Sequence, residues 1–362
     1  MKYLSTRNNK LRESFLTILF QGLSKDGGLF LPISWPSIDI NLLKGKSYEE
    51  IAFHIIFPFV KESISESELK LILNKTYKNF THKQVAPLVN IEENKFILEL
   101  IYGPTFAFKD YALQFLGNFF SYFLENQNRK ITVIGATSGD TGSAAIEALK
   151  GKNNIKVFIL HPHNKVSNIQ RLQMTTVTES NIYNIALKGT FDDCQKIVKE
   201  LFNDDSFRLK INMSGVNSIN WARIVCQIVY YFYSYFRLKK NNISFSVPTG
   251  NFGDIYAGYI AKKMGLPINK LIAATNKNDI LKRVINTGLY KPSKVEHTVS
   301  PSMDIQVASN FERLIFDVCS NNSSRTLELM NNLSETGEFK LSEEELRKIR
   351  KNFDAESLSE EE

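Results

Sequence analysis

No CxxC pair occurs in the 362 residues, and the three cysteines, Cys194, Cys226 and Cys319, stand far apart. That spacing excludes a disulfide framework and a cysteine-based zinc site, and it suits a reducing compartment, the cytoplasm by default. Apolar runs of membrane-spanning length are missing as well. The most apolar one, IVCQIVYYFYSYF at 224–236, is too short to cross a bilayer. The opening MKYLSTRNNKLRESF lacks the apolar core of a signal peptide. The net charge of +7 is scattered, without the basic run and interleaved aromatics of a nucleic-acid surface. His161 and His163 in LHPHNK have no third ligand at metal spacing. These absences leave neither nucleic acid, membrane nor metal as an expected partner.

What remains is ordinary globular material, 43% hydrophobic and 23% charged, long enough for two or more domains. In the 224–236 run, Ile224, Ile228, Phe232 and Phe236 recur every fourth residue, which predicts a helix buried within its own protein. Residues 1–90 read as a mainly helical lead-in, with helical patterns near 47–60 and 66–79 around the loop GLSKDGGLFLP at 22–32. From about residue 95 short apolar strands alternate with helical stretches: KFILEL (95–100), ITVIGA (131–136), IKVFIL (155–160), ISFSVP (243–248) and KLIAAT (270–275). Such alternation implies an α/β fold with largely parallel sheet between helices. The terminal LSEEELRKIRKNFDAESLSEEE reads as a capped, solvated helix running into an acidic end.

Three junctions carry chemistry. In SVPTGNFGD (246–254) a strand runs into Gly250, Asn251, Phe252, Gly253 and Asp254 and then a helical pattern. Backbone N–H groups converging at such a helix start suit a phosphate. Neither GxxxxGK followed by Ser or Thr nor GxGxxG is satisfied, so nucleotide binding is not implied, and a plain tight turn stays open. VIGATSGDTGSAAIEAL (133–149) repeats the pattern with Thr137, Ser138, Gly139, Asp140, Thr141 and Gly142, a cup for a carboxylate or phosphate, or an elaborate N-cap. MSGVNSINWARIVCQ (213–227) sets Asn217, Ser218, Asn220 and Arg223 within seven residues, enough to grip a phosphate dianion; capping plus a surface arginine is the alternative. Ahead of all three stands Lys109 in GPTFAFKD (103–110), which alone reads as a solvated lysine in the first turn of a helix. A lysine amine together with two anion sites suits pyridoxal phosphate, which needs an imine partner and a phosphate cup, with the second anion site left for the substrate.

These segments, with QGLSKDGGLFLP (21–32), LELIYGPTFAFKD (98–110), GATSGDTGSAA (135–145), NSINWARI (217–224) and IAATNKNDIL (272–281), resemble in order the pyridoxal-phosphate-dependent threonine synthases of fold type II. The resemblance implies two open, mostly parallel twisted sheets flanked by helices, as in the β subunit of tryptophan synthase. It implies an N-terminal domain over 1–95, a large cofactor-binding domain over 96–125 and 205–362, and a smaller substrate domain over 126–204. Lys109 becomes the Schiff-base lysine with Phe108 against the cofactor ring; Gly250, Asn251, Phe252, Gly253 and Asp254 hold the cofactor at its phosphate, and Asp140 sits near its phenolic oxygen. Thr137, Ser138 and Thr141 take the substrate carboxylate, and Asn217, Ser218 and Arg223 the phosphate of O-phospho-L-homoserine.

The implied enzyme is a carbon–oxygen lyase acting on a phosphate ester, the last step of threonine biosynthesis, in a cytoplasmic monomer or homodimer. A dehydratase acting on serine or threonine, and a non-catalytic anion-binding relative, are the rival readings. Phe106 and Phe108 are expected at the pocket, and GLSKDGGLFLP is expected to cover its mouth. Members of the family continue through a segment resembling Gly-Thr-Ala-His-Pro; nothing like it follows Ser300, so the resemblance implies a chain truncated at its C-terminal side.

Overall fold

A computed structural model describes residues 1–238, 240 and 242–361. Two parallel sheets organise it. One orders Ile182–Leu187, Ile155–Pro162, Ile131–Ala136 and Met213–Ser214 side by side, and the other orders Ile243–Pro248, Ile268–Thr275 and Phe353–Ser357. Helices flank both, as the alternating pattern requires. ITVIGA, IKVFIL, ISFSVP and KLIAAT all lie in these sheets.

The helix Trp221–Leu238 runs through the main core. Ile224, Ile228 and Phe232 are fully buried and Phe236 partly so. It packs on the helices Tyr48–Val60, Asp110–Asn126 and Gly253–Lys263. Ser47 with Glu50, and Ser65 with Glu68, form capping boxes that fix the starts of Tyr48–Val60 and Glu66–Tyr77.

The lead-in is mainly helical as expected, but Asn8–Glu13, Tyr3–Ser5 and Phe30–Pro32 add an antiparallel sheet, tied by the Asp26 carboxylate, which accepts from Ser5 Oγ and Gly28 N–H at 2.8 Å each; two other expectations are corrected. A Cβ on Gly28 would stand 2.2 Å from Ser5 Oγ, so the turn closes only on glycine. KFILEL is no member of a parallel sheet, since Lys95–Leu98 pairs antiparallel with Leu88–Glu92. The C-terminal helix Glu343–Arg350 is capped by Ser342 and Glu345 as expected, but Leu346 and Ile349 are buried. It delivers the strand Phe353–Ser357 to the second sheet, where Phe353 and Ala355 point into the core and charged residues alternate outward.

Candidate active site

The loop before Lys109 is shaped by the residue after it. Asp110 is buried and its two oxygens accept from Thr105 N–H at 2.7 Å and Thr105 Oγ1 at 2.8 Å. A Cβ on Gly103 would lie 2.4 Å from Asp110 Cβ, so the carboxylate folds over a glycine. Phe106 is held in a left-handed conformation (φ 59°) with its ring 69% exposed, away from the pocket expected for it. Replacing Asp110 with alanine leaves Thr105 N–H buried without its acceptor. A loss of about 2 kcal/mol is expected in urea unfolding.

Lys109 stands at the start of the Asp110–Asn126 helix, its side chain only 11% exposed. The solvated alternative is thereby excluded. Its Nζ donates to Asp140 Oδ2 at 2.5 Å and lies 5.5 Å from the centroid of the Phe108 ring. Burial lowers the lysine's pKa; Asp140 opposes this and Arg223 adds to it. Burial works to raise the Asp140 carboxyl, yet Lys109, the Ser302 hydroxyl and Thr141 N–H together hold it below the ordinary aspartate value. The two therefore form an ion pair.

Lys109 and Phe108 line a cavity with Ser218, Arg223 and Gln227 on one side and Pro248 through Asp254, Ser302 and Met303 on the other. The strand Ile243–Pro248 ends where the helix Gly253–Lys263 begins, and Phe252 makes the corner in a left-handed conformation (φ 63°). Its ring is buried against Phe311 and Phe353, so what Phe252 offers the cavity is backbone. The N–H groups of residues 250–253 have no acceptor among the described residues. A Cβ on Gly250 would come 3.0 Å from Ile305 Cγ1 and 3.3 Å from the Ser302 carbonyl, which keeps that strip of backbone bare. Unspent N–H groups at a helix start are suited to an anion. The Asp254 carboxylate, by contrast, accepts from Tyr230 at 2.6 Å and Tyr231 at 2.9 Å, and burial pushes its pKa up to about 6 against those two hydroxyls.

Arg223 is 2% exposed, donates from Nη1 to the Val216 carbonyl at 3.0 Å and leaves Nε without a partner. Burial pushes its pKa down to about 10 while Asp140 works the other way. It stays charged at neutral pH. A buried guanidinium with an unused donor is costly unless an anion completes it. The Ser218 hydroxyl beside it makes no hydrogen bond among the described residues. Asn220, grouped with these by sequence, is structural: it donates to the Leu19 carbonyl at 3.0 Å and caps Ala222 N–H at 3.0 Å.

Thr137, Ser138, Thr141 and Asn217 lie outside the cavity lining. Thr137 Oγ1 accepts from Gly139 and Gly142 N–H at 3.0 and 2.8 Å, folding the loop that carries Asp140. Ser138 and Thr141 are half-buried with free hydroxyls among the described residues. None of residues 22–32 lines the cavity; the GLSKDGGLFLP segment closes the N-terminal sheet, with Gly22 beside Asn220 and Gly215. Sequence reasoning missed Gln227, Thr249, Ser302 and Met303. Gln227 was legible, one helical turn beyond Arg223. Ser302 and Met303 arrive from an aperiodic segment that only the tertiary fold brings near.

An amine in a half-closed cavity, a bare N–H cradle and a second, guanidinium-bearing anion site fit pyridoxal phosphate and a phosphorylated substrate. Residues 2–77 match the family model described as threonine synthase N terminus, and residues 89–332 match that of pyridoxal-phosphate dependent enzymes. The threonine synthase of Pseudomonas aeruginosa is 46% identical over 366 residues, covering 100% of this chain and 78% of that protein. This chain belongs to the threonine synthase family. The Saccharomyces cerevisiae threonine synthase is 46% identical over 392 residues, covering 99% of this chain and 76% of that protein. The solved structure of the pyridoxal-phosphate-bound threonine synthase from Brucella melitensis superposes with a TM-score of 0.95 at 47% identity, over 99% of this chain and 78% of that one. The chain thus has the fold-type-II architecture and belongs among pyridoxal-phosphate enzymes.

Proposed function

We propose that this threonine synthase family member converts O-phospho-L-homoserine and water to L-threonine and phosphate, using pyridoxal phosphate. The observation that carries the substrate assignment is Arg223, a fully buried guanidinium with an unpartnered Nε, whose side chain lines the same cavity as Lys109. Amino-acid substrates without a phosphate give that donor nothing to bind, which disfavours the serine or threonine dehydratase reading.

When bound, pyridoxal phosphate supplies an aldehyde for the substrate amine and a ring that draws electrons from the neighbouring carbons. The chain's residues do the rest. Lys109 holds the group and, once released, carries protons between adjacent substrate carbons, its burial lowering its pKa from the ordinary lysine value and so easing proton release. Residues 250–253 hold the cofactor phosphate through N–H groups, and Phe108 lies against the ring. Asp140 sits beside Lys109, oriented by Thr141 N–H at 2.8 Å. Arg223 with Ser218 and Asn217 grips the substrate phosphate, and the Ser138 and Thr141 hydroxyls take its carboxylate, with Thr137 shaping their loop.

Arg223→Leu is expected to raise KM for O-phospho-L-homoserine about a hundredfold while leaving cofactor affinity within a fewfold. Arg223→Lys restores charge without the fork and falls between. Phosphate release measured against substrate concentration checks this. Turnover of serine in preference to the phosphate ester by the unaltered protein would sink the assignment.

The two parallel sheets support a smaller unit over 126–204, to which the edge strand Met213–Ser214 returns, and a larger one over 96–125 with 205–362, after an N-terminal unit over 1–95 whose last hairpin, Leu88–Glu92 with Lys95–Leu98, crosses that boundary. No helix among the described residues is long and apolar enough to cross a membrane. A cytoplasmic location and a monomeric or homodimeric state complete the proposal.

A further inference from the structure

Gln227 is 4% exposed, lines the cavity of Lys109 and Arg223, and has no hydrogen-bond partner for its amide among the described residues. It belongs to the helix Trp221–Leu238, one turn beyond Arg223. Its amide atoms are not among the fully enclosed polar atoms, so they open into the cavity. The protein supplies no partner there, which leaves the amide free to bond a ligand in the cavity.

The other walls say which kind. Lys109 and Arg223 are cations, residues 250–253 present N–H groups, and the one carboxylate in the lining, Asp254, is engaged by Tyr230 and Tyr231. A site so rich in donors selects an acceptor-only group with several oxygens. A neutral amide adds one more donor there without the cost of burying a third charge beside two others.

We propose that Gln227 donates its amide N–H to an oxygen of a phosphate monoester bound in this cavity, as a binding residue additional to Arg223 and the 250–253 cradle. The inference rests on the proposed function for its ligands. The oxygen belongs either to the cofactor phosphate or to the phosphate of the substrate, and the two differ in what a variant weakens.

The test uses Gln227→Leu, Gln227→Met, whose unbranched chain fills the same space, and Gln227→Glu, whose carboxylate repels an anion, cofactor-loaded for the kinetic constants and freed of cofactor for the titration. Three quantities are read: Kd for pyridoxal phosphate by fluorescence titration, KM for O-phospho-L-homoserine, and Ki for inorganic phosphate. Leu and Met are expected to weaken binding about tenfold, and Glu further, with kcat changed much less. A change confined to Kd assigns the contact to the cofactor phosphate. A change in KM and Ki together assigns it to the substrate phosphate.

If Leu fails to fold, judged by thermal unfolding, Met and Glu decide. All three quantities within twofold of the unaltered protein would overturn the proposal. An unaltered protein that binds pyridoxal phosphate and inorganic phosphate but never turns over the phosphate ester would instead overturn the functional reading, leaving the Gln227 contact still measurable through Kd and Ki.

Discussion

Lys109→Ala is expected to lower threonine formation at least about a thousandfold, and to remove the visible absorbance that the protein-bound cofactor otherwise shows. Lys109 is the one amine lining the cavity, and its side chain is held there by Asp140 at 2.5 Å. Removing it takes away both the covalent anchor and the proton carrier. The same change leaves Asp140 buried without its cation, so part of any loss could come from a disturbed fold. Lys109→Arg separates the two contributions. Its guanidinium keeps a positive charge beside Asp140, but it neither forms the anchor nor releases a proton at neutral pH. Unfolding midpoints near that of the unaltered protein in Lys109→Arg, with activity as low as in Lys109→Ala, would tie the loss to chemistry. Retained turnover in either variant would remove Lys109 from the mechanism.

How legible Lys109 was depends on the level considered. The parallel strands and the Ile224, Ile228, Phe232 stripe were visible because burial on one or two faces imposes a period on the residues. Gly250, Asn251, Phe252 and Gly253 were visible because a strand-to-helix corner needs special backbone, and that backbone is what an anion meets. Phe353–Ser357 was hidden: five residues with outward charges read as the tail of a polar helix, and only pairing with Ile268–Thr275 makes them a strand. Tyr3–Ser5 was hidden for a related reason, since a three-residue strand is too short for a period. Phe106 misled because aromatic character says nothing about direction, and its left-handed backbone turns the ring to solvent. The polar residues show the same limit. Asn220 and Asn217 look alike in sequence, yet Asn220 is consumed by the Leu19 carbonyl and a helix cap.

A second large effect is expected far from any motif, at Arg313. It is fully buried, yet among the described residues no carboxylate is hydrogen-bonded to it. Its Nε donates to the Phe30 carbonyl at 3.2 Å, Nη2 to the Ile219 carbonyl at 2.6 Å and Nη1 to Asn310 Oδ1, while the guanidinium lies 5.8 Å from the Trp221 ring centroid. Asn310 in turn donates from Nδ2 to the Ser218 carbonyl at 3.2 Å and from its backbone N–H to the Asn251 carbonyl at 3.0 Å. One side chain therefore joins the N-terminal sheet to the loop of Ser218 and, through Asn310, to the cradle at 250–253. Arg313→Met keeps much of the bulk but strands two carbonyls and the Asn310 oxygen in the interior. Relief of the buried charge offsets part of that cost, and a net loss of about 3 kcal/mol is expected in urea unfolding. The functional signature separates linkage from bulk. KM for O-phospho-L-homoserine and Kd for pyridoxal phosphate should rise together, because both anion sites lose the same anchor, whereas Arg223→Leu raises the first alone. Arg313→Lys restores the charge but cannot reach three acceptors in different directions, and it should recover stability only in part. An Arg313→Met protein as stable as the unaltered one, with both binding constants unchanged, would show that the three contacts carry no net energy and that the cradle holds its shape without them.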